Sequence, residues 1–219
     1  AGKDVTAVVE LRARFDEEAN IRLAARLQEA GVQVVYGIVG HKAHAKMLMI
    51  VRREPKGLRR YVHLGTGNYH ASTAALYTDL GLLTAKPEVG EDVHRVFQEL
   101  LGLGKVPKMK HLLHSPFTLF DGLIERIKRE AENAKQGLPS GIDLKMNSLT
   151  EPKIIRALYS ASRAGVPVRL LVRGICCLRA GVPGLGEDVD PELLFDREAA
   201  VARICAADPI DEMGRTAAY

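Results

Sequence analysis

Apolar and polar positions alternate along the chain in two rhythms, short apolar runs and longer stretches of helical period. Val5–Leu11 is an apolar-rich run of strand length. Asp16 stands where a helix N-cap belongs, and Ala19, Leu23, Ala24 and Leu27 recur at helical spacing through Glu17–Ala30, with Gly31 in the place of a C-terminal stop. Val32–Val39, Ala45–Val51 and Leu58–Leu64 predict three further strands, the last two joined by the turn sequence Arg53-Glu54-Pro55-Lys56-Gly57. A Gly-rich loop leads to a strand at Gly81–Thr84 and a helix over Glu88–Leu101. Gly102, Gly104, Pro107 and Pro116 then break up the pattern, as a linker would. Beyond it the pattern predicts a helix at Phe117–Gln136, a strand at Ile142–Met146, a helix at Pro152–Ala164 and a strand at Val166–Val172.

Part of this pattern occurs twice. Ala7–Gly40 runs strand, helix, Ala-Gly-Val, strand, Gly, and Leu144–Gly174 runs the same way. The closing pieces align directly, Glu29-Ala30-Gly31-Val32-Gln33-Val34-Val35 against Arg163-Ala164-Gly165-Val166-Pro167-Val168-Arg169. Two βαβ-like units imply an α/β protein of two related domains. The expected division is a first domain over 1–102, a linker over 103–116, a second and incomplete domain over 117–189, and a tail over 190–219 with helical potential at Pro191–Ala206.

Composition narrows the function classes. The 219 residues are 47% hydrophobic and 26% charged, enough apolar content for globular cores. No run of about 18 apolar residues occurs, so no membrane span is expected. The opening Ala1-Gly2-Lys3-Asp4 has neither an initiator Met nor a signal peptide and reads as cut from a longer chain. Cys176, Cys177 and Cys205 make a poor disulfide framework and, with no His nearby, a poor zinc site, so a reducing cytosol fits. A net charge of +4 permits a polyanionic partner. The absence of Trp and the 5% aromatic content give no base-stacking surface, so no nucleic-acid partner is expected.

The candidate chemistry lies at His44-Ala45-Lys46, where the third strand opens. Side chains at i and i+2 of a strand share a face, so the imidazole and the ammonium are expected to face one space. A neutral imidazole nitrogen attacks phosphorus, and Lys46 neutralises the phosphoryl oxygens as charge develops. The next strand ends in Gly65-Thr66-Gly67-Asn68, where glycines admit an anion to backbone N–H groups and Thr66 and Asn68 add side-chain donors. Taken alone, the His is as compatible with a structural role, and the Gly-x-Gly with a plain tight turn. A His-x-Lys strand followed one hairpin later by Gly-Thr-x-Asn resembles the phospholipase-D-like superfamily, in which two such half-sites face each other. The acid of that motif would fall at Val51, which argues against a phosphodiesterase.

Longer motifs resemble polyphosphate kinases. Val9-Glu10-Leu11-Arg12-Ala13-Arg14-Phe15-Asp16-Glu17-Glu18-Ala19-Asn20, His44-Ala45-Lys46, His63-Leu64-Gly65-Thr66-Gly67-Asn68-Tyr69, Leu76-Tyr77-Thr78-Asp79 and Ser115-Pro116 resemble the first of that family's two C-terminal catalytic domains. Gln136-Gly137-Leu138-Pro139-Ser140-Gly141 and Leu170-Leu171-Val172-Arg173-Gly174 resemble the second. The resemblance implies that His44 is the histidine that becomes phosphorylated, that Arg14 clamps phosphates beside a magnesium ion without ligating it, and that Tyr77 and Arg173 contact the nucleotide. It also implies ATP or ADP and inorganic polyphosphate as substrates, Mg2+ as cofactor, homo-oligomers in full-length members, and a cytoplasmic location or one peripheral to the inner membrane.

Two departures qualify the expectation. The family needs a second histidine after the second repeat, and this chain has no His beyond His114. The resemblance covers roughly residues 3–188 and stops after about Asp188, and the family's upstream domains, with another phosphate-binding arginine and part of the ATP pocket, have no counterpart here. Truncation or a frame shift in a longer gene, and a genuine divergence of the C-terminus, both account for this. Polyphosphate synthesis by the chain alone is therefore expected to be poor. The alternatives are a phospholipase-D-like phosphodiesterase or nuclease, and a catalytically dead fragment that binds polyphosphate.

Overall fold

A computed structural model describes residues 2–10, 17–37, 42–103 and 108–183. Arg14, the ends of the first two expected strands, and the tail over 190–219 with its expected helix at Pro191–Ala206 lie outside the described residues. The chain divides into two compact units, with the boundary between Leu113 and His114.

The first unit opens with a strand, β1 (Thr6–Val9), a helix, α1 (Glu17–Glu29), and a second strand, β2 (Gln33–Tyr36), which pairs parallel with β1 and sets Ala7 opposite Val34. The helix closes with a Schellman turn. Gly31, at φ +82°, donates to the Gln28 carbonyl, and Val32 N donates to the Leu27 carbonyl. This turn engages the Val32 N–H, so β2 begins at Gln33 rather than at Val32, as the apolar pattern had predicted.

Three antiparallel strands follow, β3 (Lys46–Glu54), β4 (Gly57–Gly65) and β5 (Gly81–Thr84), in that order across the sheet. The β3–β4 connection is a two-residue hairpin, with Glu54 opposite Gly57 and only Pro55-Lys56 at the turn. A six-residue helix, α2 (Ala71–Leu76), lies between β4 and β5. The sequence pattern had left it as loop, because one and a half turns show no periodicity and the cap is a histidine, His70, whose ring accepts from Thr73 N. The pleat sorts this sheet into two faces. Met47, Met49, Val62, Leu64 and Leu82 turn inward and pack against Val89, Val93, Val96 and Phe97 of α3 (Pro87–Leu100). Lys46, Leu48, Ile50, Tyr61, His63 and Leu83 lie on the other face, where a shallow apolar groove runs past Leu48, Ile50, His63 and Leu83.

The stretch beyond α3 is tied to the first unit at residues 108–112. Asp92 of α3 is 1% exposed. Its Oδ2 accepts from Lys110 N at 2.9 Å, His111 N at 2.6 Å and Leu112 N at 3.0 Å, and Oδ1 accepts from Arg95 Nη1 at 3.2 Å. Three consecutive N–H groups on one carboxylate form an anion nest in reverse, with the protein supplying its own anion. The result places Met109 and Leu112 in the apolar core beside Val93.

The second unit begins with α4 (Leu119–Lys135) and repeats the βαβ arrangement with β6 (Ile142–Met146), α5 (Pro152–Arg163) and β7 (Val168–Val172). The parallel pairing sets Ile142 opposite Val168, just as Ala7 faces Val34, and in both repeats that residue stands three places beyond the positive-φ glycine. The Schellman turn recurs with Gly165 N on the Ser162 carbonyl and Val166 N on the Ala161 carbonyl. Val166 is thereby engaged, and Pro167 has no N–H, so β7 starts at Val168, two residues later than the apolar pattern had predicted. Leu158, Ala161, Val166, Val168 and Leu170 form the buried centre of this unit, with Phe120, Leu123, Ile124 and Ile127 of α4 against it. The sequence expectation of α/β architecture with two related units therefore holds. Among the described residues, no helix is long and apolar enough to cross a membrane.

Asp92→Ala leaves one buried and two partly buried N–H groups without their acceptor and is expected to cost the first unit about 2–4 kcal/mol. Urea unfolding followed at the first unit measures it. An unchanged midpoint would show that the carboxylate does not hold the 108–112 segment.

Candidate functional site

Register decides where the chemistry sits. Lys46 is the first residue of β3 and pairs with Gly65, the last of β4, which pairs in turn with Gly81, the first of β5. One row across the sheet is therefore a lysine followed by two glycines. The His63 ring lies over those glycines, since a Cβ on Gly81 would stand 2.9 Å from its Nε2 and one on Gly65 would stand 3.1 Å from its Cε1. Its Nδ1 is 2.6 Å from the Tyr69 hydroxyl.

His44 is not part of the strand, contrary to the sequence expectation. The ladder ends at Lys46–Gly65, because the chain beyond Gly65 turns away and Thr66 N bonds to the Leu80 carbonyl. The shared face that an i, i+2 spacing would give is replaced by direct contact. Lys46 Nζ lies 3.1 Å from His44 Nδ1 and donates to the His44 carbonyl oxygen at 2.5 Å. Lys46 is only 9% exposed, whereas the His44 side chain remains open to solvent. The approach to His44 is also tied from β1, because Glu10 Oε2 accepts from Ala43 N at 2.9 Å.

The electrostatics suit a neutral imidazole. Partial desolvation, then Lys46, then Lys42 push the His44 pKa below its ordinary value of 6.5, since each disfavours adding a proton. Lys46 is itself pushed below 10.5 by burial and by Lys42, with Asp79 opposing the shift. At neutral pH the pair is an uncharged imidazole beside an ammonium.

The Gly65–Asn68 loop is bound to the segment before β5. Leu80 N donates to Thr66 Oγ1 at 2.9 Å, and the Thr66 hydroxyl lies 3.3 Å from Asp79 Oδ1. Gly67 is there because nothing larger fits. A Cβ would stand 2.2 Å from Asp79 Oδ2 and 2.8 Å from Asp79 Cβ. Thr66 thus has both its N–H and its hydroxyl engaged within the loop, while Asn68 is exposed. Tyr77 caps α2 through its N–H on the Thr73 carbonyl and is 42% exposed, two residues before Asp79.

The structure therefore brings His44 and Lys46 together, with Thr66 and Asn68 following Gly65, the residue opposite Lys46, and Tyr77 at the end of the helix that follows. Arg173 belongs to the second unit, just past β7, where its guanidinium bonds to Asn147 Oδ1 at 2.7 and 3.1 Å. Sequence reasoning had given no role to Asp79, His63, Lys42 or Glu10. The signal for Asp79 was its place just before a glycine-led strand, and the signal for Glu10 was a carboxylate at the end of an apolar strand. Among the described residues, no group of three His, Cys, Asp or Glu side chains is placed to hold a metal ion.

Comparison with known proteins shows which family the chain resembles. Residues 1–106 match the family model described as polyphosphate kinase C-terminal domain 1, and residues 112–213 match the one described as polyphosphate kinase C-terminal domain 2. The second match runs past Asp188, where the resemblance read from the sequence had stopped. A polyphosphate kinase of Pseudomonas aeruginosa is 58% identical over 203 residues, and one of Xylella fastidiosa (strain Temecula1) is 62% identical over 204. Each match covers 93% of this chain and 29% of the relative, so the chain spans less than a third of the length of these proteins. The crystal structure of polyphosphate kinase from Porphyromonas gingivalis matches 86% of this chain and 31% of its own, with a TM-score of 0.75 and 39% identity.

Two substitutions test the geometry. Gly67→Ala is expected to displace Asp79 and break the Thr66–Asp79 contact, seen as shifted amide resonances for residues 65–68 and 79–80. An unperturbed spectrum would show that the close approach of Gly67 to Asp79 is not real. Lys46→Met removes a positive charge from beside His44 and is expected to raise the His44 pKa, measured by imidazole titration in NMR. A fall, or no change, would contradict the pairing.

Proposed function

This chain belongs to the polyphosphate kinase family, and on that footing we propose that His44 accepts the γ-phosphoryl group of ATP and passes it to the end of a polyphosphate chain. The observation that carries the proposal is the Lys46 ammonium 3.1 Å from the ring of a histidine whose pKa is lowered. In the first step a lone pair of the His44 ring attacks the γ-phosphorus, the bond from that phosphorus to the β,γ-bridging oxygen breaks, and ADP leaves. In the second, a terminal polyphosphate oxygen attacks the same phosphorus, the P–N bond breaks and the imidazole is regenerated. Run backwards, the two steps make ATP from ADP. Such a loose transition state is stabilised by placement and positive charge.

The contact between Lys46 and Nδ1 has a consequence for this chemistry. An imidazole nitrogen that accepts from an ammonium has its lone pair engaged, and its neutral ring carries the proton on Nε2. Attack by Nδ1 requires Lys46 to leave it. Attack by Nε2 requires the ring proton to move to Nδ1, and again Lys46 must leave. An arriving phosphoryl group draws Lys46 away, because its anionic oxygens are better acceptors than a neutral ring. Lys46 thus guards the nucleophile in the free protein and becomes the charge partner of the phosphoryl group once substrate arrives.

Asn68 supplies an exposed side-chain donor to the phosphates, while Thr66 holds the loop closed on Leu80 and Asp79. Tyr77, Arg14 and Arg173 are the proposed nucleotide and phosphate contacts. Magnesium would accompany ATP with ligands from phosphate oxygens and water. The described residues offer it no cluster of their own. Homo-oligomers and a cytoplasmic or inner-membrane-peripheral location extend the same proposal to the longer protein. The phosphodiesterase alternative has less support, since Val51, at the place of that motif's acid, is a mid-strand residue of β3 opposite Arg60.

A chimera tests the proposal. Residues 1–183 are placed in the Pseudomonas aeruginosa relative in exchange for the matching stretch, and the protein is given magnesium, labelled ATP and a polyphosphate primer. Polymer growth is expected, and His44→Ala is expected to reduce it by about 1,000-fold or more. Growth that persists in His44→Ala would overturn the assignment of the nucleophile.

A further inference from the structure

We propose that Glu10 is a positioning residue for His44, its carboxylate holding the Ala43 backbone N–H and so setting the imidazole beside Lys46. The inference rests on His44 as the reacting group. It starts from a gap in the fold: the sheet ends at Lys46, so no ladder bond extends to residues 42–45, which carry the histidine. Glu10 fills that gap from 33 residues away in sequence, with Oε2 accepting from Ala43 N at 2.9 Å. An ionised acceptor on a backbone N–H makes a stronger and better-directed bond than a neutral one.

Glu10 is itself anchored. It directly follows β1, and its backbone carbonyl accepts from Asn20 Nδ2 of α1 at 2.9 Å. The chain leaving β2 passes beside it at Gly37, which has φ +43° and whose ideal Cβ would lie 3.9 Å from Glu10 Oε2. Glu10 therefore joins β1 to α1 through its backbone carbonyl, while its carboxylate, beside the exit of β2, holds the approach to β3. Through Ala43 it transmits their position to the next residue, His44. Glu10 touches no reacting atom. Its effect is on alignment, to which in-line transfer is sensitive, since a displacement of about 1 Å costs on the order of 100-fold in rate.

The test compares Glu10→Ala, which removes the acceptor, with Glu10→Gln, which keeps an oxygen that can accept from Ala43. In the 219-residue chain, the His44 imidazole titration and the Ala43 amide exchange are followed by NMR. Lys42 and Lys46 lower the His44 pKa and Asp79 acts on Lys46, so a displaced His44 reports its new surroundings. In the chimera with the Pseudomonas aeruginosa relative, kcat and the ATP KM are measured. Glu10→Ala is expected to speed Ala43 exchange, raise the His44 pKa and lower kcat about 100-fold, with KM changed by no more than about 3-fold. Glu10→Gln is expected to recover most of each effect. An unchanged His44 titration in Glu10→Ala, or a Glu10→Gln as damaged as Glu10→Ala, would overturn the proposal. So would loss of the folded amide spectrum in Glu10→Ala, which would assign Glu10 to the fold alone. If the chimera's activity proved independent of His44, the phosphotransfer reading would fall, while the titration and exchange would still decide whether Glu10 positions the imidazole.

Discussion

The site depends on a lysine ammonium held at the end of a sheet with almost no exposure. Burying Lys46 costs free energy unless its charge finds acceptors, and the first unit provides them, with the His44 carbonyl and ring on one side and Asp79 contributing attraction. The register that pairs Lys46 with Gly65 and Gly65 with Gly81 is part of the same solution. Side chains at those glycines would take the space of the His63 ring and the row beside the lysine. The ammonium that lowers the histidine's proton affinity is thereby also the one that touches the histidine ring in the proposed site.

The two repeats share a scaffold, and the candidate site is built on the first. Both βαβ units use the same Schellman turn and the same offset from glycine to strand pair, so the duplicated pattern is structural. What makes the first unit a candidate site is the three-stranded antiparallel sheet that follows its repeat, with His44 in the approach and the glycine loop at the same end of the sheet. In the second unit, among the described residues, the chain after β7 brings Arg173 onto Asn147.

Most of the fold was legible because its signals are local. Gly31 and Gly165 mark positive-φ helix ends, Pro87 and Pro152 mark first helical turns, and apolar runs mark strands, so Gly81–Thr84 and Ile142–Met146 agree residue for residue with expectation. The errors fall where a bond that the apolar pattern does not show decides, whether across the sheet or within a turn. A strand that seemed to begin at Ala45 begins at Lys46, because pairing stops where β4 turns away at Gly65. The start of β7 moved because Val166 is consumed by a turn. Of the site, His44 and Lys46 were legible from spacing, but their contact arises from a side chain folding back rather than from a shared strand face. Asp79 and Glu10 could not be read from spacing at all, since they reach the site across 13 and 33 residues of chain.

The central claim is that Lys46 rests on His44 and transfers to the phosphoryl group when an anion arrives. It is tested most directly by NMR on the chain labelled at its imidazole and lysine side-chain nitrogens, titrated with tripolyphosphate. The account predicts that Lys46 Nζ and His44 Nδ1 shift together along one binding curve, with His44 Nδ1 losing the signature of a hydrogen-bonded acceptor as Lys46 leaves. An anion that binds while the Lys46–His44 contact stays intact would contradict it.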